Sequence, residues 1–251
     1  MANDIQLRLT FFSSQQTNNT AKSTETSTGT ITDNFTQSTS SRQPTHKLAG
    51  NSHSSLNAAI SSIECDGSDF MSTATTRSVG GSGNSYSIII AWTNADYTND
   101  TWLISGTSND AHWGIKAGGA AVIYKANGSK AAAAERDYAT NSTANSTTSY
   151  TFGSDIEMVA IIMDATSGTT ACDIYNINGD KIADAAAVNI SGLSTAFPID
   201  HIIGKSDGTK GLNGSLLDVV VCNGKVLTVP EIKGFSTFYQ DCQDYVGDAG
   251  A

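Results

Sequence analysis

Much of what usually announces a chemistry is missing from this 251-residue chain. Only 15% of its residues are charged, and the 14 lysines and arginines are scattered. Neutralising a phosphate backbone requires clustered basic residues, so nucleic-acid binding is excluded. No stretch approaches the roughly 18 consecutive apolar residues of a membrane span, so no membrane insertion is expected. The opening MANDIQLRLTFF lacks the basic start and apolar centre of a secretory leader, so the expectation is synthesis in a cytoplasm. The four cysteines, Cys65, Cys172, Cys222 and Cys242, form no CxxC pair. They suggest neither a zinc site nor a disulfide framework, and they read as buried reduced thiols. The four histidines, His46, His53, His112 and His201, show no HxH or HExxH spacing, and there is no GxSxG elbow. No repeat of fixed period is visible.

What is abundant is Ser, Thr, Asn and Gly, the composition of short strands joined by polar turns. The 24 acidic residues leave a net charge of −10, which keeps a crowded surface soluble. Residues 5–11 alternate, with Ile5, Leu7, Leu9 and Phe11 on one side, and predict a strand with one buried face. From Ser13 a polar tract almost without apolar anchors cannot build its own core and reads as an extended arm. The continuous apolar run YSIIIAW, 86–92, predicts a strand buried on both faces. Shorter strands are expected at 102–105, 113–116 and 121–124, and long ones at 157–164 and 171–177, the latter turned at Asn178-Gly179. The segment 131–139 reads as a loop or single turn.

Near the C-terminus GLNGSLLDVVVCNGKVLTVPEI, 211–232, compresses a strand, a turn at Asn223-Gly224 and a helix start. Thr228 followed by Pro230 and Glu231 has the form of a capping box. The helix is expected to run to about residue 246, turning Ile232, Phe235, Phe238 and Tyr239 toward the body. All strands fit one two-layer sandwich, with the polar arm outside its core.

Three stretches carry a family resemblance. ISSIECDGSDFMST, 60–73, DIEMVAIIMDATSGTTACDIYNINGDKI, 155–182, and IIGKSDGTKGLNGSLLDVVVCNGKVLTVPEI, 202–232, are similar in order and spacing to the concanavalin A-like, laminin-G-like jelly roll. The resemblance covers about residues 43–245. It implies an all-β, two-sheet antiparallel jelly-roll sandwich with a short C-terminal helix over 43–251, preceded by the strand and polar arm of 1–42. The linker-like QSTSSRQPTHK resembles such domains in tail and capsid appendage proteins of tailed phages. That resemblance implies a non-enzymatic decoration protein on the virion surface, a homo-oligomer whose partners are the major capsid protein or other virion proteins. A glycan-binding adhesin on a fibre or knob, recognising a cell-surface glycan, is the alternative. Cys65 stands where the family usually has an aromatic residue, and no ligand motif of the family transfers residue by residue.

The chemistry is weighed separately, because function lives in sites rather than folds. Jelly-roll glycosidases place three acids on alternate positions of one strand, but Asp155-Ile156-Glu157 and Glu64-Cys65-Asp66 each stop at two. No cofactor is expected. Asp66 and Asp69 could offer hard oxygen ligands to calcium, although a plain turn explains the same residues. For a sugar, Trp113, His112, Asp110 and Trp102 are the candidate platform and hydrogen-bonding groups, against the ordinary fate of tryptophan in a sandwich, which is burial.

Overall fold

The computed structural model describes residues 7–10, 20–21, 24–26, 34–47, 62–80, 84–93, 95–106, 112–115, 117, 122–125, 136–137, 150–153, 155–164, 171–184, 197–205 and 207–244. In chain order the strands are β1 (Leu7–Thr10), β2 (Thr20–Ala21), β3 (Thr24–Thr26), β4 (Asn34–Thr36), β5 (Thr45–Lys47), β6 (Ser62–Asp66), β7 (Met71–Val79), β8 (Tyr86–Thr93) and β9 (Thr101–Ser105). They continue with β10 (His112–Ile115), β11 (Val122–Lys125), β12 (Arg136–Asp137), β13 (Glu157–Asp164), β14 (Ala171–Tyr175), β15 (Lys181–Asp184), β16 (Phe197–Ile202) and β17 (Asn213–Asn223), and the helix α1 (Val229–Asp244) follows. One sheet runs β15-β14-β13-β8-β17-β6-β5-β2, with β1 also on β17; the other runs β12-β11-β10-β9-β16-β7-β4-β3. Every pairing is antiparallel. The fold is an all-β, two-sheet antiparallel jelly-roll sandwich with one short C-terminal helix.

Strand β8 shows why the apolar runs are continuous. Tyr86, Ile88, Ile90 and Trp92 enter the core between the sheets, while Ile89 and Ala91 face a second core under α1. Strand β13 divides in the same way, with Val159, Ile161 and Met163 inward and Met158, Ala160 and Ile162 toward the helix. A sheet covered on both faces needs no polar alternation. Three buried thiols, Cys65, Cys172 and Cys222, fill these cores as small apolar groups. Cys242 has no described side chain.

The N-terminal region departs from the expectation of an arm outside the core. Strand β2 pairs with β5, and β4 pairs with β7. Phe35 is fully buried between the sheets, and Gln37 donates from Nε2 to the Phe70 carbonyl at 3.1 Å. A single phenylalanine in a polar tract, helped by backbone pairing at a sheet edge, is enough to dock it. Arg8 also differs from the alternation pattern. The face opposite Leu7 and Leu9 reads as solvated, but there the helix covers it and Arg8 reaches a buried carboxylate.

That carboxylate is Asp218. A bulge in β17 places Leu216 opposite Trp92 and Asp218 opposite Ala91, so that Asp218 turns under α1. It is fully buried. Arg8 donates from Nη2 to Oδ2 at 2.6 Å and from Nε to Oδ1 at 3.3 Å, and the Tyr239 hydroxyl donates to Oδ2 at 2.9 Å. Burial pushes the Asp218 carboxyl above the usual carboxylate range, against the pull of these two partners.

The helix start matches the capping signature in part. Glu231 Oε2 accepts from the Thr228 N–H at 2.8 Å and from the Thr228 hydroxyl at 2.9 Å, while Oε1 takes Lys225 Nζ at 2.9 Å. The reach of the glutamate back to the cap residue is present, and the Thr228 hydroxyl points to the same carboxylate. Ile232 and Tyr239 are buried as expected, but Phe238 is 42% exposed and sits off the packed stripe. Among the described residues no helix is long and apolar enough to cross a membrane. The segment 131–139 lies outside the described residues except for Arg136–Asp137, which is strand β12 rather than loop or turn.

Replacing Asp218 with Ala is expected to cost about 3 kcal/mol in urea unfolding, because Arg8 and Tyr239 lose their shared acceptor in a buried place. Glu231→Ala is expected to cost about 1 kcal/mol or less. The lysine and cap bonds hold the Glu231 carboxyl down to about 2, below its ordinary 4.5. Its contribution is therefore complete above pH 4.5 and fades as pH falls toward 2, and an acid titration of wild type against E231A checks the sign.

Candidate functional site

Residues 210–213 run along the mouth of the sandwich and join the turns at 66–68 and 96–98 and the start of β9 by backbone bonds. Lys210 O accepts from the Trp102 N–H at 2.8 Å, Leu212 O from the Gly67 N–H at 3.0 Å, and Asn213 O from the Asp96 N–H at 2.7 Å. Gly211 permits this crowding, since a Cβ there would lie 2.3 Å from the Gly67 carbonyl oxygen. Lys210 adopts the left-handed conformation at φ 58°, which a side chain other than glycine ordinarily avoids.

Three turns here, at 66–68, 96–98 and 207–209, carry the same triplet, Asp-x-Ser/Thr. Asp66 Oδ1 accepts from the Ser68 N–H and hydroxyl at 2.9 and 2.7 Å. Asp96 Oδ1 accepts from the Thr98 N–H and hydroxyl at 2.9 and 2.5 Å. Asp207 Oδ1 takes the same pair from Thr209, also at 2.9 and 2.5 Å. These bonds lower all three carboxyls and keep them ionised at neutral pH. Between the turns lies a cleft of about 440 Å³, whose polar walls include Asp66, Ser68, Asp96, Thr98, Asn99 and Asn213. Lys210 lines it too, with Nζ held 3.2 Å from Asp100 Oδ2. No aromatic residue lines it among the described residues.

The expected sugar platform is placed elsewhere. Trp113 is fully buried between the sheets, its ring 6.4 Å from that of Phe197, so it is a core residue and presents no face to a ligand. Gly114 follows it because a Cβ there would lie 2.1 Å from the Thr101 carbonyl oxygen at a bulge between β9 and β10. Trp102 and His112 do meet, stacked at 3.9 Å and 8° on the outer face of their sheet. Lys205 Nζ lies 5.5 Å from the Trp102 ring centroid. Trp102 is only 7% exposed and His112 only 1%, so this stack offers little open surface. Asp110 lies outside the described residues.

The two expected calcium ligands serve the turn itself. Asp69 is buried and its Oδ2 accepts from the Asp66 N–H at 3.1 Å, while Asp66 holds Ser68. No group of three His, Cys, Asp or Glu side chains able to hold a metal occurs among the described residues. Of the two, only Asp66 faces the cleft.

Of the acids Asp155 and Glu157 weighed for glycoside hydrolysis, Asp155 is exposed and Glu157 is fastened. Glu157 is buried, accepting from the Tyr150 hydroxyl at 2.7 Å and from the Gly153 N–H at 2.6 Å. Trp92 and Phe152 pack beside it, with ring centroids 5.2 Å apart. Trp92 Nε1 donates to the Tyr97 hydroxyl at 2.6 Å. This aromatic cluster anchors Tyr97, whose neighbours Asp96 and Thr98 line the cleft.

Burial pushes the Asp69 carboxyl up to about 6 from its ordinary 3.8. A raised folded value favours folding fully below pH 3.8, and that benefit is lost as pH rises through about 6. Asp69→Asn keeps an acceptor for the Asp66 N–H without the charge. It is expected to raise stability by on the order of 1 kcal/mol near neutral pH and to leave it unchanged in acid. Urea unfolding in the two conditions checks this, and an equal effect in both would contradict it.

No family model and no curated protein sequence matches this chain. Solved structures do. The chain is similar to the botulinum neurotoxin serotype G binding domain at 15% identity and a TM-score of 0.50, over 93% of this chain and 51% of that one. It is similar to the Trypanosoma rangeli sialidase solved with the inhibitor DANA at 11% identity and a TM-score of 0.50, over 95% of this chain and 33% of that one. A Ruminococcus gnavus sialidase module, CBM40, bound to α2,3-sialyllactose is matched at 17% identity and a TM-score of 0.45, over 61% of this chain and 83% of that one. The chain thus spans about half of the toxin domain and a third of the trypanosomal enzyme. At such identities the likeness establishes the two-sheet sandwich alone.

Proposed function

We propose that this chain is a non-enzymatic, lectin-like jelly roll that binds a glycan in the cleft between the turns at 66–68, 96–101 and 207–213. The observation that carries the reading is the cleft itself: about 440 Å³, walled by carboxylates, amides and hydroxyls that converge from three loops on a rigid sheet end. A sugar is a polyol, and such a set of positioned polar groups is what fixes one. The left-handed Lys210 supports the same place, since backbone strain is kept where the surroundings over-determine it. Fastening of Glu157 into an aromatic cluster supports a binding rather than a hydrolytic role.

The setting proposed is the virion surface of a tailed phage, reached after synthesis in the host cytoplasm, where such a domain would act as an adhesin or decorate the capsid as a homo-oligomer. This setting rests on the sequence resemblance. Docking of Phe35 into the core leaves less free arm for reaching across neighbouring subunits than decoration would use.

A glycan array followed by calorimetry is expected to give saturable binding that falls at least about tenfold in Asn213→Ala, the loss of one well-placed polar contact. Lys210→Gly relieves the left-handed strain, so its melting temperature is expected to hold or rise. Absence of binding to every glycan tested would overturn the reading. Trp113→Ala is no test of it, because truncating a core tryptophan unfolds the domain by about 3–5 kcal/mol.

A further inference from the structure

The cleft has a hydrogen-bond polarity. The Ser68 hydroxyl spends its hydrogen on Asp66, the Thr98 hydroxyl on Asp96 and the Thr209 hydroxyl on Asp207. Asn213 Nδ2 is turned to Asp96 Oδ2 at 3.4 Å, and the Thr101 hydroxyl to the Asn99 carbonyl at 3.4 Å. The ammonium of Lys210 is matched by Asp100. Hydroxyls whose hydrogens are committed face a ligand with lone pairs only. The amides of Asn99 and Asn213 and the Lys210 ammonium keep donors, but the hydroxyls present acceptors, and among the described residues the two ionised carboxylates of Asp66 and Asp96 have no cationic partner, which leaves the walls net negative. An entering carboxylate, sulfate or phosphate would meet this like charge at the walls.

We infer that the cleft selects a donor-rich, non-anionic sugar, and that a sugar bearing a protonated amine binds it more tightly than its neutral counterpart, with Asp66 and Asp96 as the residues that set this preference. The inference rests on the glycan-binding reading of the same cleft and adds the charge class of the ligand. A ring ammonium donates three hydrogens and carries the charge that the two carboxylates lack. Neutral hydroxyls donate to the same acceptors without the charge. Acidic sugars are rejected by the electrostatics of the walls rather than by size, so an acid and a neutral sugar of equal volume are separated.

The test is calorimetry of the intact chain against three matched oligosaccharides of one linkage and length, built from glucosamine, from glucose and from glucuronate. The expected order is glucosamine over glucose over glucuronate, with the glucosamine affinity falling as salt is raised. Asp66→Asn and Asp96→Asn keep an oxygen for the turn bonds and remove the charge. In the double variant the ratio of glucosamine to glucose affinity is expected to fall at least about tenfold, while the melting temperature changes little. Equal or tighter binding of glucuronate overturns the charge preference while leaving glycan binding standing. A glucosamine advantage that survives in the double variant overturns the assignment to Asp66 and Asp96. If none of the three binds, and a wider glycan array is also blank, the glycan reading itself falls and this inference with it.

Discussion

The sandwich depends on one buried carboxylate. Asp218 is fully enclosed, and its two oxygens join three parts of the chain that are remote in sequence: β1 through Arg8, β17 through its own backbone, and α1 through Tyr239. A buried ion pair contributes little net stability when compared with apolar packing, but removing one member is costly because the other stays behind. Its effect is therefore to specify a register. With Asp218 turned under the helix by the bulge, α1 has one seating at which Tyr239 reaches it and Ile232 and Tyr239 fill the outer core. Helix and N-terminal strand are fixed to the same point, and the face bearing Ile89, Met158, Ala160 and Val220 is closed.

The same strand, at its other end, organises the candidate site. The residues leading into β17 follow the 207–209 turn directly and tie the turns at 66–68 and 96–98 and the start of β9 to it through carbonyls at 212, 213 and 210. The loops that form the cleft are thus short and held by backbone bonds to a central strand. Polar groups so held lose little freedom when a ligand arrives, which is the condition for selective recognition by hydrogen bonds. The aromatic cluster around Glu157 and Tyr97 secures the middle loop from behind.

Legibility from the sequence followed the range of the interactions. The strands at 86–93 and 157–164 were legible because double-faced burial leaves a continuous apolar run, and the helix start because capping is decided within four residues. Arg8 and Asp218 were not, being 210 residues apart and joined only by the fold. Trp113 shows the limit of reading aromatics: burial in a sandwich and display on its surface use the same residue, and periodicity assigns a face only if both sides of the sheet are known. The cleft left a faint trace, the triplets at 66–68, 96–98 and 207–209. The pattern marks a turn, and only the fold makes it a wall.

The position of β17 in the chain has a consequence for how the molecule is made. This strand lies at the heart of its sheet, between β8 on one edge and β6 and β1 on the other, yet it follows all the other described strands in the chain. Until residues 213–223 emerge, β8 has one unpaired edge of almost uninterrupted apolar side chains, and neither core can close. Non-local closure of this kind makes folding slow and leaves a sticky edge exposed during translation. Loss of residues 213–223 would thus remove the centre of the structure rather than its margin.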